Sequence, residues 1–229
     1  CGSRDACPEA SWALGTDPAV ASIRERVSAA TGGAAIEPLS LARPGAVVAD
    51  RITAVEKARG ESADLVLVAI GTNNVCTSSM DKITPVDEFG QTYGELLATI
   101  RAGVPDAPIV AVSLPDITQL WEAGRSDPTI VRLLNQSPSC RTLLGDADSD
   151  AAADEERRAS VAETLAGYNA AIVEACAEVS GCTTDDGAVA RMTFTLDDIS
   201  SADHFHPSAS GQAKVAAAAW PAVQKALGG

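Results

Sequence analysis

Two histidines occur in the 229 residues, and both fall in Asp203-His204-Phe205-His206-Pro207. Any proton transfer by imidazole near neutral pH is therefore confined to this stretch. Proline suits the first position of a helix, so Pro207 predicts a helix start and puts His206 at the cap, facing a cleft. Asp203, three residues earlier, can reach back to the ring. A carboxylate bonded to Nδ1–H selects the tautomer whose Nε2 accepts a proton, and it stabilises the imidazolium that forms. The plainer interpretation is that both histidines are solvated side chains of a polar loop.

A second group is Gly71-Thr72-Asn73-Asn74, directly after the most apolar run in the chain. The side-chain amide of Asn73 can donate into a cleft without titrating, which is what stabilising a developing oxyanion requires. Glycine and asparagine are equally the residues of left-handed turn positions, so local sequence also permits an ordinary turn. Gly45 follows Pro44 and offers a backbone N–H in the same way, although Pro-Gly first signals a turn.

These residues need elements to hold them. Asp64 to Ile70 is a continuous apolar, β-branched run, the form expected of a parallel strand covered on both faces, and Pro108 to Leu114 repeats it. The stretch 34–41 predicts a further strand before Pro44-Gly45, and 192–196 a short last one. Asp17-Pro18, followed by Val20, Ile23 and Val27, predicts a helix that Gly32-Gly33 ends. Helical spacing recurs over 46–59, along Phe89, Tyr93, Leu96, Leu97 and Ile100, over the Ala-rich 150–179, and over 207–227. Alternating strands and helices predict one α/β domain over 1–229, a doubly wound parallel sheet with helices on both faces. Ligands then sit at the carboxyl ends of the strands.

Composition narrows the partners. Thirty-one acidic against seventeen basic residues give a net charge of -14, which repels phosphate backbones and anionic headgroups, so nucleic acid is not an expected partner. No apolar run approaches the roughly 20 residues that span a bilayer, so no stable membrane anchor is expected. The six cysteines form no Cys-x-x-Cys pair. Read as disulfides, Cys1 with Cys7 and Cys176 with Cys182 are close neighbours, leaving Cys76 with Cys140 as the long link. Such bonds persist in an oxidising compartment and imply a secreted, extracellular protein. Neither Gly-x-Gly-x-x-Gly nor Gly-x-x-x-x-Gly-Lys occurs, so no cofactor is expected.

Taken together, Gly45 after the second strand, Gly71-Thr72-Asn73 after the third, and Asp203-His204-Phe205-His206-Pro207 before the last helix resemble the second, third and fifth sequence blocks of the SGNH/GDSL family of serine ester hydrolases. Ser11-Trp12-Ala13-Leu14-Gly15-Thr16, Val112-Ser113-Leu114-Pro115-Asp116 and the cysteine placement are similar to secreted actinobacterial members. The resemblance implies a flavodoxin-like α/β fold and attack of a serine on an ester carbonyl. Carried over by motif, it makes His206 the general base and acid, Asp203 its orienting partner, and Asn73 and Gly45 the oxyanion donors. It implies a small-molecule, lipid or sugar ester as substrate and a monomeric protein.

The sequence departs from the family at two places. The position after Asn73, usually aspartate, is Asn74, and the nucleophile block, Gly-Asp-Ser after a first apolar strand, is absent. Ser3 follows Cys1-Gly2 rather than an apolar run, and Ser11 has no glycine context. The expectation is that the first strand and the serine lie upstream of Cys1, and that residues 1–229 alone show no ester turnover. Two rival readings follow from the same residues. One is a non-catalytic ligand-binding relative that kept the pocket and lost the nucleophile. The other is a metallohydrolase in which His204 and His206, on one side of an extended backbone, join Asp197, Asp198 or Asp203.

Overall fold

Ser22 and Glu25 decide where the first helix begins. The Ser22 hydroxyl accepts the Glu25 N–H at 3.3 Å while the Glu25 carboxylate accepts the Ser22 N–H at 3.0 Å. This capping box satisfies two donors that a helix start leaves orphaned. Helix α1 therefore spans Ile23–Ala30 rather than starting at Asp17-Pro18, where the Asp17 carboxylate instead accepts the Ala19 N–H in a turn. The computed structural model describes residues 7–58 and 60–228. After α1 come α2 (Val48–Lys57), β1 (Val66–Val68), α3 (Thr72–Val75), α4 (Val86–Gly103), β2 (Ile109–Ala111), α5 (Thr118–Gly124), α6 (Pro128–Gln136), α7 (Arg141–Leu144), α8 (Ala152–Ala177), β3 (Cys182–Thr184) and α9 (Ala209–Ala226).

The three strands form one parallel sheet in the order β1-β2-β3, with Val66 opposite Ile109 and Ile109 opposite Cys182. Alternation along the middle strand shows that both faces are covered. Ile109 and Ala111 join a core built by Val48 of α2, Phe89 and Leu97 of α4, and Leu165 and Tyr168 of α8. Val110 and Val112 point the other way, into a second core with Ile23 of α1 and Val215, Ala219 and Val223 of α9. The sheet is wound on both sides, as the alternation of elements predicts.

Four expectations are corrected. The strand ending in Val68 is not buried throughout, since Val66 and Leu67 are only partly covered, because β1 is an edge of the described sheet. Residues 34–41 form no strand; they run mostly exposed without a ladder partner, and the Ala34 and Leu41 carbonyls instead accept from the Ser28 hydroxyl and the Arg51 guanidinium. The last strand is Cys182–Thr184, not 192–196. Its short Cys-Thr-Thr carries little apolar signal, and it is recruited by pairing with β2. Helix α9 starts after Ser208, whose hydroxyl caps it by accepting the Gly211 N–H, so Pro207 lies outside the helix and bridges to Ile199 instead.

Cys76 is bonded to Cys140 and Cys176 to Cys182, as the spacing suggested. Cys1, and with it the pairing to Cys7, lies outside the described residues, as does Ser3. Among the described residues no helix is long and apolar enough to cross a membrane.

Candidate active site

Asp203 and His206 meet as their spacing implies. Nδ1 of His206 lies 2.6 Å from Oδ2 of Asp203. An ionised carboxylate only accepts, so the shared proton belongs to Nδ1, and in the neutral ring the lone pair is on Nε2. Nε2 makes no hydrogen bond among the described residues, and the His206 side chain is 67% exposed against 22% for Asp203. The other carboxylate oxygen accepts the N–H groups of Phe205 at 3.0 Å and His206 at 3.1 Å, folding the segment into a tight turn about Asp203. Burial works to raise the pKa of Asp203, but the bonds from the His206 ring and the two amides outweigh it. The carboxyl is therefore held below its ordinary value and stays ionised at neutral pH. His206 is thus oriented by this turn, not by a helix cap.

His204 takes no part in this pair. Its φ of 53° is left-handed, which breaks the extended backbone that would align it with His206. Among the described residues no three His, Cys, Asp or Glu side chains converge as a metal site, so the arrangement with Asp197, Asp198 or Asp203 does not form.

The other two candidate residues are joined through a neighbour. Asn73 sits in α3, immediately beyond β1, and its Nδ2 donates to the Ala46 carbonyl at 3.1 Å. Gly45 precedes Ala46 with φ 76°, in a turn closed by the Ala46 N–H to the Arg43 carbonyl, where Pro44 presets one position and glycine supplies the positive φ. The Gly45 N–H makes no hydrogen bond within the described residues. The ring of Phe205, edge-on to His206 at 5.0 Å between centroids, packs against the core that contains Val48 and Val75. These two residues bracket the Asn73 contact, Val48 beyond Ala46 and Val75 at the end of α3.

Sequence reasoning missed the residues that brace this framework. Asn74 is 5% exposed; its Oδ1 accepts the Val48 N–H at 3.2 Å and its Nδ2 donates to Thr84 Oγ1 at 3.1 Å. An aspartate could not donate to Thr84, so the asparagine matches its neighbours here. The Tyr168 hydroxyl donates to the Thr84 carbonyl, and burial pushes that phenol up to about 12. On the far side of α3, Thr142 Oγ1 donates to the Val75 carbonyl and accepts the Thr77 N–H, beside the Cys76–Cys140 bond. At the end of β2 the Asn169 amide clamps both backbone groups of Leu114. No local pattern signals these contacts, because the partners lie 10 to 84 residues apart.

Two concavities lie elsewhere, one lined by Arg125, Val131 and Arg132, the other by Ser113, Asn169 and Asp185. Neither includes His206, Asp203, Asn73 or Gly45. Geometry of the Asp203–His206 pair, not depth, marks the candidate site, and His206 lies at an open surface.

The model of the GDSL-like lipase/acylhydrolase family matches residues 7–214, a span that holds Gly45, Asn73, Asp203 and His206. No curated protein and no solved structure matches the chain. With the α/β sheet and most of the chain covered by that match, the protein belongs to the GDSL-like lipase/acylhydrolase family.

Proposed function

We propose that this domain is a carboxylic ester hydrolase of the Ser-His-Asp kind, in which His206 is general base and then general acid. Asp203 holds the ring in the tautomer that leaves Nε2 free, and Asn73 Nδ2 and Gly45 N–H are the donors for the oxyanion. The observation that carries this reading is the 2.6 Å contact between Nδ1 of an exposed imidazole and an ionised carboxylate. The attacking group is a serine in a Gly-Asp-Ser block, which residues 1–229 do not contain. The substrate is an uncharged or weakly charged small-molecule, lipid or sugar ester, since a net charge of -14 disfavours polyanions. The two disulfides among the described residues support export to an oxidising compartment.

Ester turnover tests the reading. A chain extended ahead of Cys1 by an apolar strand ending in Gly-Asp-Ser is expected to hydrolyse p-nitrophenyl acetate, while residues 1–229 alone stay at background. In the extended chain His206→Ala should remove most of the rate. Turnover that survives His206→Ala would show that another group is the base. An extended chain that binds esters without hydrolysing them favours the non-catalytic relative.

A further inference from the structure

With 67% of its side chain open to solvent, His206 is not held by packing on all sides. Its ring position is inherited from the backbone of residues 199–207, and that loop is closed at its base. The Ser200 N–H donates to the His206 carbonyl at 2.8 Å, Ile199 bridges to Pro207, and the Ser208 N–H donates to the Asp198 carbonyl at 2.8 Å. The loop leaves from Asp198 and returns to it two residues after His206.

Asp198 is 1% exposed, so its carboxylate is buried at that junction. Oδ2 accepts from Lys214 Nζ at 2.5 Å, from the Thr195 N–H at 2.8 Å and from Thr195 Oγ1 at 2.9 Å; Oδ1 accepts from Ser210 Oγ at 2.8 Å. Lys214 also reaches the Thr193 carbonyl at 3.4 Å. The ion pair thus ties residues 193–198, where the loop begins, to α9, where it ends. A buried carboxylate is tolerated only when its charge and lone pairs are matched, and such a pair gives geometric definition more readily than net stability.

We propose that Asp198 and Lys214 form a positioning clamp that sets the His206 imidazole against Asp203. This rests on the reading of His206 as the general base, but its test does not need turnover. Among the described residues neither makes a hydrogen bond to the ring; both act by fixing the two ends of the loop that carries it.

The test is Lys214→Met, which keeps the apolar stem and removes the charge, with Lys214→Arg as the conservative counterpart. In 15N-labelled chain of residues 1–229, ring nitrogen shifts report how far the proton stays on Nδ1 of His206, and hydrogen exchange reports the Ser200 and Ser208 amides. Lys214→Met is expected to mix the two tautomers and to speed exchange of both amides about tenfold or more, and Lys214→Arg to restore both. Should Lys214→Met not fold, Ser210→Ala, which removes one bond from the same carboxylate, is expected to move both readouts in the same direction. A lowered melting temperature with unchanged His206 ring shifts in the folding variant overturns the clamp, since a merely structural pair would behave that way. Turnover that survives His206→Ala overturns the base assignment instead and leaves the ring shifts as they are.

Discussion

The side-chain amide of Asn73 donates to the carbonyl of Ala46 at 3.1 Å, which fastens the turn carrying Gly45 to the helix that follows β1. Two segments 27 residues apart in sequence are thereby joined. If the proposed function holds, Asn73→Ala in a chain extended by the Gly-Asp-Ser strand is expected to lower kcat by about 10²- to 10³-fold, the usual loss when one oxyanion donor is removed. KM should change much less. Steady-state kinetics with p-nitrophenyl acetate checks this, and an unaltered kcat removes Asn73 from the mechanism.

The Cys76–Cys140 bond closes a span of 64 residues and Cys176–Cys182 one of 6. Constraint of the unfolded chain grows with the logarithm of loop length, giving about 4 kcal/mol for the first and about 2 kcal/mol for the second. Paired Cys→Ala variants measured by urea unfolding should therefore differ in that order. Equal losses would show that native-state contacts, not chain entropy, dominate.

Gly71 is the pivot from β1 into α3, at φ 140° with Phe89 Cε2 2.8 Å and Leu114 Cδ1 2.9 Å from where a Cβ would stand. Gly71→Ala must move the backbone, the Phe89 ring, or both. A stability loss of about 1–3 kcal/mol is expected. The same shift displaces Asn73 two residues on, so kcat of the extended chain should fall with it.

Acid should loosen the segment that carries the histidine. Burial acts to raise the Asp198 pKa, but the bonds from Lys214, Thr195 and Ser210 prevail and hold the carboxyl well below the ordinary value of about 3.9. Asp203 is shifted the same way. A depressed folded pKa gives stability that is fully present above the unfolded value and is lost as pH falls through the folded one. Unfolding free energy should therefore fall as pH drops below about 4. Asp198→Asn should flatten that dependence in urea titrations between about pH 2 and pH 5.

The sequence by itself determined the alternation of apolar strands and amphipathic helices, the long helices α4 and α8, both described disulfides and the Asp203–His206 pair. These rest on periodicity or on partners a few residues apart, except for the Cys76–Cys140 link, which followed from pairing off the nearer cysteines. Tertiary structure alone decided which short segments became strands: 34–41 had the apolar pattern but no ladder partner, whereas Cys182–Thr184 had almost no pattern and pairs with β2. It likewise moved the start of α9 past Pro207, because Pro207 is drawn into a bridge with Ile199 while Ser208 supplies the cap. The braces around the site, Asn74 with Val48, Thr142 with Val75 and Lys214 with Asp198, were invisible for the same reason. A hydrogen bond between residues 16 to 67 positions apart leaves no local pattern, and it forms only once the packed core has brought its two ends together.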